Sequence, residues 1–137
     1  MKLQEPIQAI VDKAHERLES AEKLLEIGNF SDSISRSYYA VLDILRALLV
    51  IDKVFPKSHA GTITKFHQLY IKSGKVKLEY GKILTSIEKS RSEADYDFLI
   101  KFTKKEAAIK FRQAKQFVKI VEDLLDKKNK TVTKIRR

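Results

Sequence analysis

The chain has 137 residues, of which 34% are charged and 43% hydrophobic, and its length favours a single domain with its own core. It contains no cysteine, which excludes disulfides, thiolate metal sites and cysteine catalysis. The formal net charge is +10. The N-terminus is too polar for a signal peptide, the longest apolar run (40–51) is too short to span a bilayer, and the lack of cysteine fits a reducing cytoplasm, so we expect a soluble, cytoplasmic protein with no membrane association.

A first helix is predicted from about Pro6, because proline is well tolerated in the first turn of a helix. Apolar residues then recur with helical spacing over five turns, and Gly28-Asn29 is typical of a left-handed helix end. The apolar positions are Ile7, Ile10, Val11, Ala14, Leu18, Ala21, Leu24 and Leu25. This pattern predicts one amphipathic helix with a defined end.

A second helix follows directly, with Ser31 or Asp32 as its predicted N-cap, and extends to about Lys53. It is apolar on nearly all sides, which predicts a buried central helix. The short Gly28-Asn29 link predicts that helices one and two form an antiparallel hairpin.

A polar stripe follows one side of this second helix. Arg36, Tyr39, Asp43 and Arg46 recur at spacings of three, four and three residues, so they share one face. Charged residues are rarely buried without a partner. The stripe therefore either faces a groove or a second subunit and forms part of a site, or it contains an internal Asp43–Arg46 ion pair with Arg36 reaching solvent.

The segment 54–57 breaks the helical pattern, and Ser58 is the predicted N-cap of a shorter third helix that ends at Gly74. His59 follows this cap and is the one credible proton donor in the sequence, unless it only makes local hydrogen bonds. His59 and His67 are eight residues apart, which is not the spacing of two metal ligands on one helix face. The sequence predicts neither a metal site nor a cofactor.

The fourth helix leads into the segment 91–98, which combines an arginine, three carboxylates and a tyrosine. Arg91 can bind a phosphate with two parallel hydrogen bonds, or it can pair with Asp95 four residues later. Carboxylates and tyrosines are weak bases at neutral pH. The segment therefore supports binding better than catalysis.

A last helix is predicted from about Thr103, where Thr103 and Glu106 have the spacing of a capping box. The fold expected is an all-α, up-and-down bundle of four long helices and one short helix. It covers residues 1–126. Residues 127–137 contain six basic residues and no acidic one, which predicts a flexible tail or an electrostatic arm for nucleic acid.

Three sequence blocks resemble the HEPN domain family, and specifically its UPF0332-type branch. They are Ser-Arg-Ser-Tyr-Tyr-Ala at 35–40 with Arg-Ala-Leu-Leu at 46–49, Lys-Ser-His-Ala-Gly-Thr-Ile at 57–63, and Arg-Ser-Glu-Ala-Asp-Tyr-Asp at 91–97. The resemblance covers about residues 8 to 125. It implies a helical bundle that pairs as a homodimer, often working with a minimal nucleotidyltransferase in toxin–antitoxin or defence systems.

The family's endoribonucleases act without a metal, through an arginine followed after four to six residues by a histidine. Arg91 matches the arginine, but Tyr96, Asp97 and Phe98 occupy the histidine positions. The resemblance therefore implies nucleotide or RNA binding more strongly than cleavage. The rival hypothesis is a non-catalytic helical adaptor in which Arg91–Asp95 and Arg36–Asp43 are structural pairs. The predicted catalytic residues are Arg91 and Asp95, and the predicted ligand-binding residues are Arg36, Tyr39, His59, Arg91 and Tyr96.

Overall fold

The structure is a computed structural model that describes the backbone of residues 3–136 and the side chains of residues 3–131. The described backbone forms five α-helices and no strand, which confirms the predicted bundle of four long helices and one short helix. The helices are α1 (Glu5–Glu26), α2 (Phe30–Ile51), α3 (His59–Phe66), α4 (Leu78–Tyr96) and α5 (Lys104–Arg136).

The second helix, α2, is the central element of the bundle, as its sequence predicts. It contacts each of the other four helices, and most of its residues are buried. Burying a leucine such as Leu45 or Leu48, both fully inaccessible, stabilises the fold by about 1.5–3 kcal/mol. Side chains on the one polar face of α2 are therefore held by the most extensively packed backbone of the molecule.

The link between α1 and α2 is tighter than the sequence suggests. Gly28 adopts a left-handed conformation with φ +86°, as predicted, and the Asn29 amide donates to the Leu24 carbonyl at 2.8 Å. The helix α2 begins at Phe30, so the predicted cap by Ser31 or Asp32 is wrong. Both residues lie inside the first turn because the link occupies so few residues.

The start of α3 agrees with the sequence. Ser58 is the N-cap, and its hydroxyl accepts a hydrogen bond from the Gly61 amide at 2.9 Å. After Phe66 the helix widens into a π-helical turn, His67–Ile71, in which the Lys72 amide donates to the His67 carbonyl at 2.8 Å.

This π-helical turn carries Tyr70 into the core, where its ring stacks on Phe66 with 6.0 Å between centroids. The Tyr70 hydroxyl donates to Asp52 at the end of α2, and Lys128 of α5 binds the other oxygen of that carboxylate at 3.0 Å. Asp52, directly after α2, therefore links the π-helical turn to α5.

The capping box of α5 is confirmed. The Glu106 amide donates to the Thr103 hydroxyl at 3.1 Å, and the Thr103 amide donates to the Glu106 carboxylate at 3.2 Å. The helix α5 continues to Arg136, through most of the segment predicted as a flexible tail. The boundary at residue 126 stays a prediction, and Arg137 lies outside the described residues. Of the helices described, none is long and apolar enough to cross a membrane.

Candidate phosphate-binding groove

An open groove of about 630 Å³, which we call the α2 groove, follows the polar face of α2. The predicted stripe on α2 faces this groove, and α1, α3 and α4 contribute one or two residues each. The lining residues are Arg17, Leu24, Asp32, Ser35, Arg36, Tyr39, Leu42, Asp43, Arg46, His59 and Asp95. The structure thus brings four of the predicted site residues, Arg36, Tyr39, His59 and Asp95, into one concave surface.

A buried carboxylate lies at the base of this surface. The side chain of Asp43 is 7% exposed; the Arg17 Nε donates to it at 2.6 Å, and a guanidinium nitrogen of Arg46 lies 3.7 Å away. The Asp43–Arg46 pair is the one that helical spacing predicts. The closer partner, Arg17, was missed because it comes from α1, 26 residues earlier, and no local pattern in the sequence connects the two.

Arg36 is an exposed cation of the α2 groove. Among the described residues, no carboxylate lies within ion-pairing distance of its guanidinium, although Asp32 and Asp43 line the same groove. An Arg36–Asp43 structural pair, one form of the adaptor hypothesis, is therefore wrong. Arg36 keeps its five hydrogen-bond donors available for a ligand.

Tyr39 and His59 form an aromatic wall beside Arg36. Their rings meet edge to face with 6.0 Å between centroids, and the Arg17 guanidinium lies over the Tyr39 ring at 5.4 Å. His59 is exposed and is the first residue of α3, where backbone amides favour an anion. This wall can pack against a base or sugar while a phosphate contacts Arg36.

Arg91 is engaged within the protein rather than open to the groove. Its guanidinium lies 4.6 Å from the centre of the Tyr38 ring and 3.4 Å from the Asp95 carboxylate, which also accepts a hydrogen bond from Ser35 at 2.7 Å. The Arg91 Nε is buried and has no hydrogen-bond partner among the described residues. Arg91 therefore ties the end of α4 to α2, and Asp95 forms the groove wall in front of it.

The Tyr38 hydroxyl is held in its neutral form by its surroundings. Burial raises the pKa of Tyr38 above its ordinary value of 10.0, and the nearby positive charge of Arg91 offsets only part of this effect. Near neutral pH, Tyr38 is therefore a stacking surface for Arg91 and not a base.

Tyr96 lies apart from the α2 groove. It is the last residue of α4, 73% exposed, and does not line the groove.

The link that follows presents Phe98 and Leu99, which are 95% and 92% exposed. We call Tyr96, Phe98 and Leu99 the α4–α5 apolar patch. Its position at the last residue of α4 and in the link beyond it explains why helical periodicity did not detect it.

The charges in the α2 groove balance, because three arginines face three aspartates. Two of the arginines are paired with Asp43, and Arg36 is not. The groove therefore offers one localised anion contact, flanked by an imidazole, and not a broad basic surface. Such a site fits a single phosphate of a nucleotide or of an RNA strand.

Comparison with known proteins places the chain in a family. Residues 7–124 match the HEPN domain. This chain belongs to the HEPN family. It is 34% identical over 123 residues to a Methanocaldococcus jannaschii protein named "Putative toxin MJ0605", covering 90% of this chain and 91% of that protein. The chain is also similar to two UPF0332 proteins. The Gloeobacter violaceus protein is 31% identical over 119 residues, which cover 86% of this chain and 94% of that protein. The Thermotoga maritima protein is 29% identical over 114 residues, which cover 83% of this chain and 86% of that protein.

The family assignment confirms the resemblance to HEPN domains and UPF0332 proteins that the three sequence blocks indicate. In this HEPN chain two of the blocks meet in space, since Ser35 of the first contacts Asp95 of the third. The middle block supplies His59 to the same groove. The similarity to a HEPN domain and to a protein named "Putative toxin MJ0605" supports a toxin-like or RNA-related role.

Proposed function

We propose that this HEPN protein binds a nucleotide or a single RNA phosphate in the α2 groove, and that it works as part of a toxin–antitoxin or defence-type system. The observation that carries the proposal is the exposed Arg36 beside Tyr39 and His59, which forms no ion pair with any described side chain. An arginine with free donors recognises phosphate through charge-assisted, bidentate hydrogen bonds. The proposal is one of binding, because Arg91 is paired with Asp95 and no histidine follows it at the family's spacing.

The direct test is a titration of the purified protein with ATP and with a short single-stranded RNA. We expect saturable binding of at least one of them, with log K falling by about 0.7 per decade of salt, as for one phosphate contact on a single strand. A steeper slope of several units would point to the basic residues 127–137 instead of the groove. Absence of saturation with either ligand at millimolar concentration would contradict the proposal.

A non-catalytic adaptor is the second candidate. Two ion pairs favour it, because they use charged groups for contacts within the protein. Arg17–Asp43 joins α1 to α2, and Arg91–Asp95 lies within α4. The same titration separates the two candidates. An adaptor would stay folded and bind neither ATP nor RNA.

We also propose a homodimer that is formed through the α4–α5 apolar patch. Phe98 and Leu99 are almost completely exposed, and covering such side chains is favourable by about 25 cal/mol per Å² of apolar area. We expect Phe98→Ser to raise the dimer dissociation constant at least about tenfold, measured by sedimentation equilibrium.

The matched control for this experiment is Phe55→Ser. Phe55 is 68% exposed, lies in the α2–α3 link and is not one of the three residues of the patch. Its replacement should leave association unchanged. A wild-type protein that is monomeric at high micromolar concentration, or an equal effect of the two variants, would rule out this interface.

A minimal nucleotidyltransferase is the protein partner that we propose, on the basis of the family resemblance. A reading frame for such an enzyme next to the gene, with co-purification of the two products, would support the pairing. A solitary gene whose product does not associate with any such enzyme would count against it.

A further inference from the structure

A second groove lies between α1 and α5, on faces that do not contribute to the α2 groove. It has a volume of about 500 Å³. Its lining residues are His15, Leu18, Arg112, Lys115, Gln116, Val118, Lys119 and Glu122. We call it the α1–α5 groove. None of its residues lines the α2 groove, so neither surface depends on the other.

The surface of this groove is almost wholly apolar although most of its lining residues are polar. Leu18 and Val118 form its floor, and both are buried against the core. The rest of the apolar surface comes from the methylene groups of long side chains, which cover carbon surface while their charged ends reach water. The inner surface of the groove is therefore apolar, and charged groups lie at its rim.

The rim is positively charged along α5. Arg112, Lys115 and Lys119 are exposed, follow one another at spacings of three and four residues, and form no ion pair among the described side chains. Glu122 is the carboxylate of the lining, and it is already engaged with His15 of α1. Three cations that form no ion pair with a described side chain thus border the apolar surface of the α1–α5 groove.

We propose that the α1–α5 groove docks an acidic amphipathic helix of a partner protein. Its apolar face would lie on Leu18 and Val118, and its carboxylates would meet Arg112, Lys115 and Lys119. The distance along α5 from residue 112 to residue 122 is about 15 Å, which is roughly three helical turns. Binding of an amphipathic helix in a groove uses this combination of apolar contact and charged rim.

The lining favours a peptide over a nucleic acid. A phosphate backbone needs hydrogen-bond donors across the contact surface, whereas the floor of this groove presents carbon. An acidic helix matches both features, because it has apolar side chains for the floor and carboxylates for the rim. Charge complementarity at a rim chiefly sets association rate and choice of partner, so the docking should be sensitive to salt.

The probe for this proposal is a synthetic 14-residue helix with leucines on one face and glutamates on the other, labelled with fluorescein. We expect the full-length protein to bind it with a dissociation constant on the order of tens of micromolar, measured by anisotropy. An analogue with lysines in place of the glutamates should not bind. NMR shift changes should map to Leu18 and Val118.

The variant that tests the rim is Arg112→Glu/Lys115→Glu/Lys119→Glu, and we expect it to weaken probe binding at least about tenfold. Its control is Lys65→Glu/Lys72→Glu/Lys104→Glu, which alters net charge equally at exposed lysines outside both grooves and should change binding less than about twofold. Circular dichroism checks the folding of each variant. The single variant Lys115→Gln, which should weaken binding measurably, serves if the triple variant does not fold.

Three results would overturn the proposal. The wild-type protein could fail to bind the acidic probe at millimolar concentration, or the two triple variants could lose binding equally. A short single-stranded RNA could also displace the probe and lose its own binding in the rim variant, which would assign the groove to nucleic acid.

Discussion

Replacing Arg36 with alanine is expected to weaken the binding of ATP or short RNA by at least about tenfold, with little change in thermal stability, since a hydrogen bond to a charged group contributes about 1.5–3 kcal/mol. Arg36 is exposed, lines the α2 groove and has no carboxylate partner among the described residues. Its loss therefore removes a ligand contact without removing a contact within the protein. Isothermal titration calorimetry and a melting curve measure the two effects.

The matched control is Arg46→Ala. Arg46 lies on the same face of α2, with a side chain that is 55% exposed, but it lies 3.7 Å from the Asp43 carboxylate. Its removal changes net charge equally and should weaken ligand binding much less. Equal losses of ligand affinity in the two variants would mean that binding depends on the overall electrostatic potential of the groove and not on a contact with Arg36.

Arg91→Ala should show the opposite pattern. Arg91 pairs with Asp95 and lies over the Tyr38 ring, so its removal should lower stability by about 1–2 kcal/mol, as for a partly buried cation that loses an ion pair and an aromatic contact. The geometry thus distinguishes the arginine that holds the fold from the arginine that is free for a ligand. A ligand-binding defect in Arg91→Ala with unchanged stability would reverse this assignment.

Replacing Arg17 with methionine is expected to lower the free energy of unfolding by about 2–4 kcal/mol, because the buried Asp43 carboxylate then loses its close partner. Arg46 remains, but its nitrogen lies 3.7 Å away and its side chain is largely exposed, so it compensates only in part. Urea denaturation followed by circular dichroism gives the free energy.

A second substitution tests the cause of this loss. Asp43→Leu, added to Arg17→Met, removes the buried carboxylate that has lost its partner and should restore much of the stability. Replacing a buried ion pair with apolar side chains often leaves the free energy of unfolding unchanged or raises it. If Arg17→Met costs less than about 0.5 kcal/mol, within the range of an ordinary surface substitution, then the pair is not a stabilising element. If the double variant is no more stable than the single one, the loss comes from packing and from the Arg17–Tyr39 contact.

The features of the fold that depend on nearby residues could be predicted from the sequence. Helical spacing gave the central position of α2 and its polar stripe, and short motifs gave the caps at Ser58 and Thr103. Arg91 and Asp95 are four residues apart in one helix, so their pairing could be predicted as well. Each of these features depends on residues within a single helix and its cap.

The features that the sequence did not reveal depend on contacts between distant segments. The Arg17–Asp43 pair joins two helices, and the Ser35–Asp95 hydrogen bond joins residues 60 positions apart. Helical spacing could not decide which arginine of the stripe would be left without a partner, because Arg17 lies outside the stripe. The expectation that Arg91 binds a phosphate arose from this gap, and the geometry of the α2 groove favours Arg36 instead.

The burial of α2 also determines how the groove can respond to a ligand. Arg36, Tyr39 and Asp43 are attached to a helix that is enclosed by the four others, so this part of the site cannot move without partial unfolding. The entropy of ordering its backbone is lost during folding and not during binding. Adaptation to different ligands is left to His59, which begins a short helix at the edge of the bundle. The groove therefore combines a fixed backbone at the proposed phosphate contact with one adjustable side.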